Sequence, residues 1–140
     1  MSRLHHLNPT PQTVHWGHFD ASLPPVLNVE SGDTVVIDTV SGGRQEVLDD
    51  SLFRPDHRLI VDQVPQLMGP HILTGPVCIR GAEPGDTLEV CIESIELTAD
   101  WGWNIIRPLK GALPEDFPHL SRRIIPIDRQ AGMARLPWGV

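Results

Sequence analysis

The sequence predicts an all-β fold, an antiparallel β-barrel or sandwich with short helical turns, and three observations point there. Fourteen Pro and twelve Gly among 140 residues interrupt the chain too often for long helices. Runs such as Thr34-Val35-Val36-Ile37 and Ile124 to Ile127 are short and β-branched, which suits strands set between turns. Finally, VESGDTVVIDT from Val29 and AEPGDTLEVCI from Ala82 align without a gap. Two readings of that echo stand: a repeated turn-and-strand unit, or the ordinary chemistry of Gly-Asp-Thr before a strand.

Taken in order, residues 12–20, QTVHWGHFD, form an edge strand after a Pro-rich arm. His15 and His18 fall on opposite faces of an extended chain, which counts against their sharing one metal. Residues 26–41 give strand, Ser-Gly-Asp turn and strand. The polar stretch SGGRQEVLDDSLFRPDHRLIVDQVPQ reads as a loop with a short helix near Val47 to Phe53. Its Asp56-His57 pair is expected to be solvated, because adjacent side chains rarely converge on one centre. From Met68 the chain gives a His-bearing turn, a strand, a Pro-Gly turn and a second strand through Leu97. A hairpin about Pro84-Gly85 would set Cys78 opposite Cys91. With no Cys-x-x-Cys present, both are expected as buried apolar thiols without a catalytic part. Trp101 and Trp103 share a face in extended chain, where indoles wall a small pocket or fill a core. Leu113 to Phe117 reads as a turn.

One domain with a modest core is what 140 residues and a 40% apolar share imply. A net charge of -7, with no clustered Arg run, removes the electrostatic footprint that nucleic acid or an anionic membrane would need. The N-terminus lacks an apolar signal core, and no stretch approaches the roughly 18 apolar residues of a membrane span. The expected location is cytoplasmic.

No Gly-rich phosphate loop, Gly-x-Ser-x-Gly elbow or His-Glu-x-x-His occurs, so nucleotide, esterase and zincin readings lack anchors. What remains is His71 on a bend stiffened by Gly69, Pro70, Gly75 and Pro76, with the Thr74 hydroxyl nearby. This suits a divalent metal, zinc above all, that activates water against a small uncharged carbonyl. His71 would be the first ligand and Asp38, at a strand end, the best carboxylate. Ser41, Thr74 and Gly75 would orient them. Two ligands are too few for such a site. His71 bonded to a backbone carbonyl and Asp38 as a solvated strand end stay open.

Gly69-Pro-His-Ile-Leu-Thr-Gly-Pro-Val77 followed by Arg80-Gly-Ala-Glu-Pro-Gly-Asp-Thr-Leu-Glu-Val90 resembles the signature of the acetamidase/formamidase family. Asp100-Trp-Gly-Trp-Asn104, Gly111-Ala-Leu-Pro-Glu-Asp-Phe117 and Glu30-Ser-Gly-Asp-Thr34 resemble further blocks of it. The resemblance implies an all-β homo-oligomer that hydrolyses short amides to carboxylate and ammonia. His71 and Thr74 would be catalytic, and Trp101, Trp103 and Asn104 would line the substrate pocket. Two departures matter: Ser41 stands where many members carry an acidic residue, and a later Gly-Asp-x-His and Gln-Gly-Asp-Gly-Glu segment is missing. Residues 1–140 are therefore expected to be a single β domain, the N-terminal half of such a fold, inactive alone and joined by its own copies or a complementing C-terminal chain. Competing readings are a non-catalytic β-module for binding or assembly, and a carbohydrate-binding sandwich with Trp101 and Trp103 as its platform.

Overall fold

The computed structural model describes residues 2–47 and 49–139. Leu48, inside the helix expected near Val47 to Phe53, and Val140 lie outside the described residues. The chain divides into two compact units, Met1–Thr87 and Leu88–Val140.

Among the described residues the first unit carries six strands: β1 (Leu4–Leu7), β2 (Val14–Trp16), β3 (Leu27–Val29), β4 (Thr34–Ile37), β5 (Ile72–Thr74) and β6 (Val77–Ile79). β1 pairs with β4 and β3 with β6, both parallel, while β2 pairs antiparallel with β5. The chain is thus mostly β, as expected. Its sheets are small and open, however, with no closed barrel or stacked sandwich among the described residues, and parallel pairs stand beside antiparallel ones. β3 and β4 flank a tight turn yet do not form a hairpin. The Asp33 carboxylate occupies that turn, accepting from the Glu30 and Arg3 amides at 3.0 and 2.9 Å, and so ties β4 to β1.

The echo between Val29 and Ala82 is a repeated turn. Asp33 N donates to Glu30 O at 3.1 Å and Asp86 N to Glu83 O at 3.1 Å. In each, the Asp carboxylate accepts from the Glu amide, at 3.0 and 2.9 Å. The Gly between takes a positive φ, +85° at Gly32 and +107° at Gly85, a backbone state that side-chain-bearing residues resist. The likeness stops at the turn. Residues 87–99 form no strand, so Cys78 lies in β6 opposite Asn28 while Cys91 is exposed. The expected hairpin, and the facing, buried thiols with it, is absent: β6 pairs with β3, and no second strand directly follows the Pro84-Gly85 turn.

The stretch expected as a loop with a short helix near Val47 to Phe53 has a 3-10 turn at Asp50–Leu52 within those bounds, and beyond it, where solvated loop was expected, the one α-helix of the described residues, α1 (Pro55–Gln63). Pro55 opens α1 and Asp56 lies in its first turn, both favourable at a helix N-terminus. His57, Ile60, Val61 and Val64 follow the i, i+3, i+4, i+7 spacing that puts them on one face. Ile60 on that face packs with Val14, Trp16, Val40 and Ile72 to make the core, with Val61 and Val64 against it. His57 is buried, not solvated, and the Trp16 indole donates to Val64 O at 3.1 Å.

The second unit is an antiparallel sheet of β7 (Trp101–Ile106), β8 (Ser121–Asp128) and β9 (Met133–Ala134) in the order β7-β8-β9. Arg123 lies over the Trp138 ring at 4.7 Å. Leu113 to Phe117 is a turn, closed by Phe117 N donating to Leu113 O at 3.3 Å. No described residue of this unit is buried. No helix among the described residues is long and apolar enough to cross a membrane.

Candidate functional site

The bend that carries His71 is built on a close approach of two backbones. A Cβ at Gly17 would stand 2.2 Å from Met68 O, and one at Gly69 would stand 2.8 Å from Gly17 O. Both glycines also have positive φ, +67° and +60°. Neither position accepts a side chain without the strands separating, so Gly17 N is held against His71 O at 2.7 Å. The imidazole beyond this anchor is exposed and has no hydrogen-bond partner among the described residues.

The same Gly17 turn alters the neighbouring histidines. Because the chain reverses there, His15 and His18 do not diverge as in an extended strand, and their rings meet edge-on at 5.7 Å. Each is spoken for at one nitrogen: His15 Nε2 donates to His18 O at 3.0 Å, and His18 Nδ1 to Trp16 O at 2.9 Å.

Thr74 and Asp38 are brought together, though through the backbone: Thr74 Oγ1 donates to Asp38 O at 3.1 Å. Gly75 N donates to Thr13 O at 2.9 Å and precedes a cis bond to Pro76. The Asp38 carboxylate is taken by Arg54, whose Nη1 and Nη2 donate to its two oxygens at 3.2 and 2.6 Å. Arg54 also grips Asp56, holding that carboxyl below its ordinary range. Ser41 is exposed. In the second unit Trp101 and Trp103 are half-buried and stand opposite Pro126 and Ile124. Strand parity puts Asn104 on the other face of β7.

A cleft of ≈ 510 Å³ in the first unit is lined by Trp16, Glu46, Val61, Asp62, Val64 and Gln66, among others. None of the residues singled out from sequence lines it. Sequence reasoning missed its buried Glu46, which accepts from Gly43 N at 2.9 Å. His57 is buried too but does not line the cleft, and its Nε2 donates to Gly42 O at 2.7 Å. Burial pushes the His57 pKa down, favouring the neutral ring. The helical spacing of His57, Ile60, Val61 and Val64 was the signal that marks this face.

The donors at hand do not make a metal centre by themselves. Asp38 is engaged by Arg54, and no group of three or more His, Cys, Asp or Glu among the described residues is placed to hold an ion. Chemically, the first unit offers the His71 imidazole on a rigid bend, while the Thr74 hydroxyl and the Asp38 carboxylate are already committed to other partners.

This mostly β chain with a Gly-Pro-His bend matches the model of the acetamidase/formamidase family over residues 6–135. The chain belongs to that family. Neither the curated proteins nor the solved structures yield a match to it. Family membership suggests an amidase of the acetamide or formamide type.

Proposed function

We propose that this chain belongs to an amidase that hydrolyses small linear amides of the formamide or acetamide type, and that it supplies only part of the active site. The observation that carries this reading is the family match across residues 6–135. The free His71 imidazole on its pinned bend supports it. In the reaction, water adds to the amide carbonyl carbon, the C–N bond breaks, and nitrogen leaves as ammonia with a proton gained from water. His71 is suited to one of two parts at a time: a ligand to a metal that activates the water, which is the part the zinc titration below tests, or, with no metal on it, the base that accepts that proton and returns it to the nitrogen. Thr74 and Gly75 position the bend, and Trp101 and Trp103, on one face of β7, are proposed as pocket residues without Asn104, which stands on the other face.

A divalent metal such as zinc joins this proposal only with further ligands from outside this chain, since Asp38 is paired with Arg54. Those ligands would come from another copy or from a complementing chain, in a cytoplasmic assembly. The second reading, a non-catalytic β-module for binding or assembly, is favoured by one observation: His71 stands outside the cleft.

Zinc titration of the wild-type chain and of His71→Ala separates the two. The amidase reading expects the substitution to weaken zinc binding by about tenfold or more, whereas equal affinity supports the non-catalytic module. Ammonia release from formamide or acetamide by the isolated, zinc-loaded chain is expected to stay at the blank. Turnover there would show that the site is complete.

A further inference from the structure

The first unit buries a core, whereas in the second every apolar side chain of the described residues is at least partly exposed. The chain as a whole exposes 10554 Å². Even two separate compact units of these sizes would expose only about 8,700 Å² together. The excess, roughly 1,900 Å², is more than twice the ~800 Å² that each partner contributes to a standard interface. Surface on that scale calls for a cover.

The strip most in need of one is Thr87 to Glu93. Leu88, Val90 and Ile92 alternate there with Glu89, Cys91 and Glu93 and are 65%, 71% and 74% exposed. The alternation is that of a strand with one apolar face. Among the described residues of the second unit, no backbone hydrogen bond joins residues 88–99 to another segment of that unit. It is a strand sequence without a strand partner, the situation in which a chain pairs with another chain.

A two-fold interface requires a patch that complements itself. In antiparallel self-pairing, a centre between two residues sets apolar against polar side chains, so the centre must fall on a residue. Centred on Glu89 the pairing sets Glu89 against its own counterpart, and centred on Cys91 it sets Glu89 against Glu93. Like charges directly opposite are destabilising. Centred on Val90, Leu88 meets Ile92, Val90 meets Val90, Glu89 meets Cys91 and Thr87 meets Glu93. Every apolar residue then has an apolar partner, and no Glu faces a Glu.

We propose that Thr87 to Glu93 is the edge through which two copies of this chain associate, as antiparallel strands centred on Val90. Sedimentation equilibrium of the purified chain from micromolar to sub-millimolar concentration should show a dimer. Val90→Lys, which sets two ammonium groups face to face, should raise the dimer dissociation constant about tenfold or more. A monomer over the whole range overturns the proposal and assigns the strip to a different chain.

A cross-linking measurement keeps the register testable should Val90→Lys misfold. A chain with Cys78→Ser, Cys91→Ser and Val90→Cys should oxidise to an intermolecular disulfide, because position 90 faces itself. A chain with only Cys78→Ser should not, since Cys91 lies diagonal to its counterpart at about 7–8 Å, beyond the reach of an unstrained bridge. Equal or preferential cross-linking through Cys91 overturns the Val90 register.

Discussion

Asp33 organises more of the first unit than any residue singled out for catalysis. Its carboxylate accepts from the amides of Glu30 and Arg3 and from His5 Nε2 at 2.9 Å. The two amides, and then His5, hold its pKa at about 2, against 3.8 for an ordinary Asp. A carboxyl whose folded pKa is depressed adds stability that is present above the unfolded pKa and is lost as pH falls through the folded one. Acid unfolding followed by circular dichroism should therefore show wild-type stability declining between about pH 4 and about pH 2, and Asp33→Asn should flatten that decline. Legibility at this scale was uneven. His71 could be read because its neighbours, Gly69, Pro70, Gly75 and Pro76, constrain the backbone locally. The fate of Asp38 could not, because Arg54 reaches it from sixteen residues away and no local rule pairs them.

The bend at His71 and the strand β2 depend on each other through Gly17. Gly17→Ala would drive a methyl into Met68 O at 2.2 Å and impose positive φ on a residue with a Cβ. It should destabilise the first unit by more than about 1 kcal/mol, measured as a lower midpoint in urea unfolding. β2, β3, β4, β7 and β8 were visible as short β-branched or Trp-bearing runs. Helix α1 was equally visible in principle, through Pro55 and the spacing of His57, Ile60, Val61 and Val64, but its charged residues argued for a loop. The hairpin after β6 was misread for a different reason: the alternation from Thr87 is strand-like, but a local pattern does not say which segment a strand pairs with, and β6 pairs with the distant β3. β1 was missed because Leu4-His-His-Leu7 lacks β-branched residues and is made a strand by pairing with β4.

For the whole molecule, the contrast between the units sets where the chain should open first. Residues of the first unit enclose Ile60 completely, while no described residue of the second is buried. Local stability follows buried apolar contact. In dilute solution, amide hydrogens of β7, β8 and β9 should exchange faster than those of β2, β5 and α1, as read by hydrogen exchange with mass spectrometry. Comparable protection in both units would show that the second is covered in solution. The sequence by itself determined the family, the mostly β character and the stiff bend at His71, since each rests on residues close together in the chain. Only the tertiary structure decided that Asp38 belongs to Arg54, that His57 is buried, that His15 meets His18, and that Leu88 to Ile92 lacks a strand partner among the described residues of its own unit. Those outcomes depend on which distant segments compete for the same hydrogen bonds and the same apolar surface, a contest that local spacing does not record.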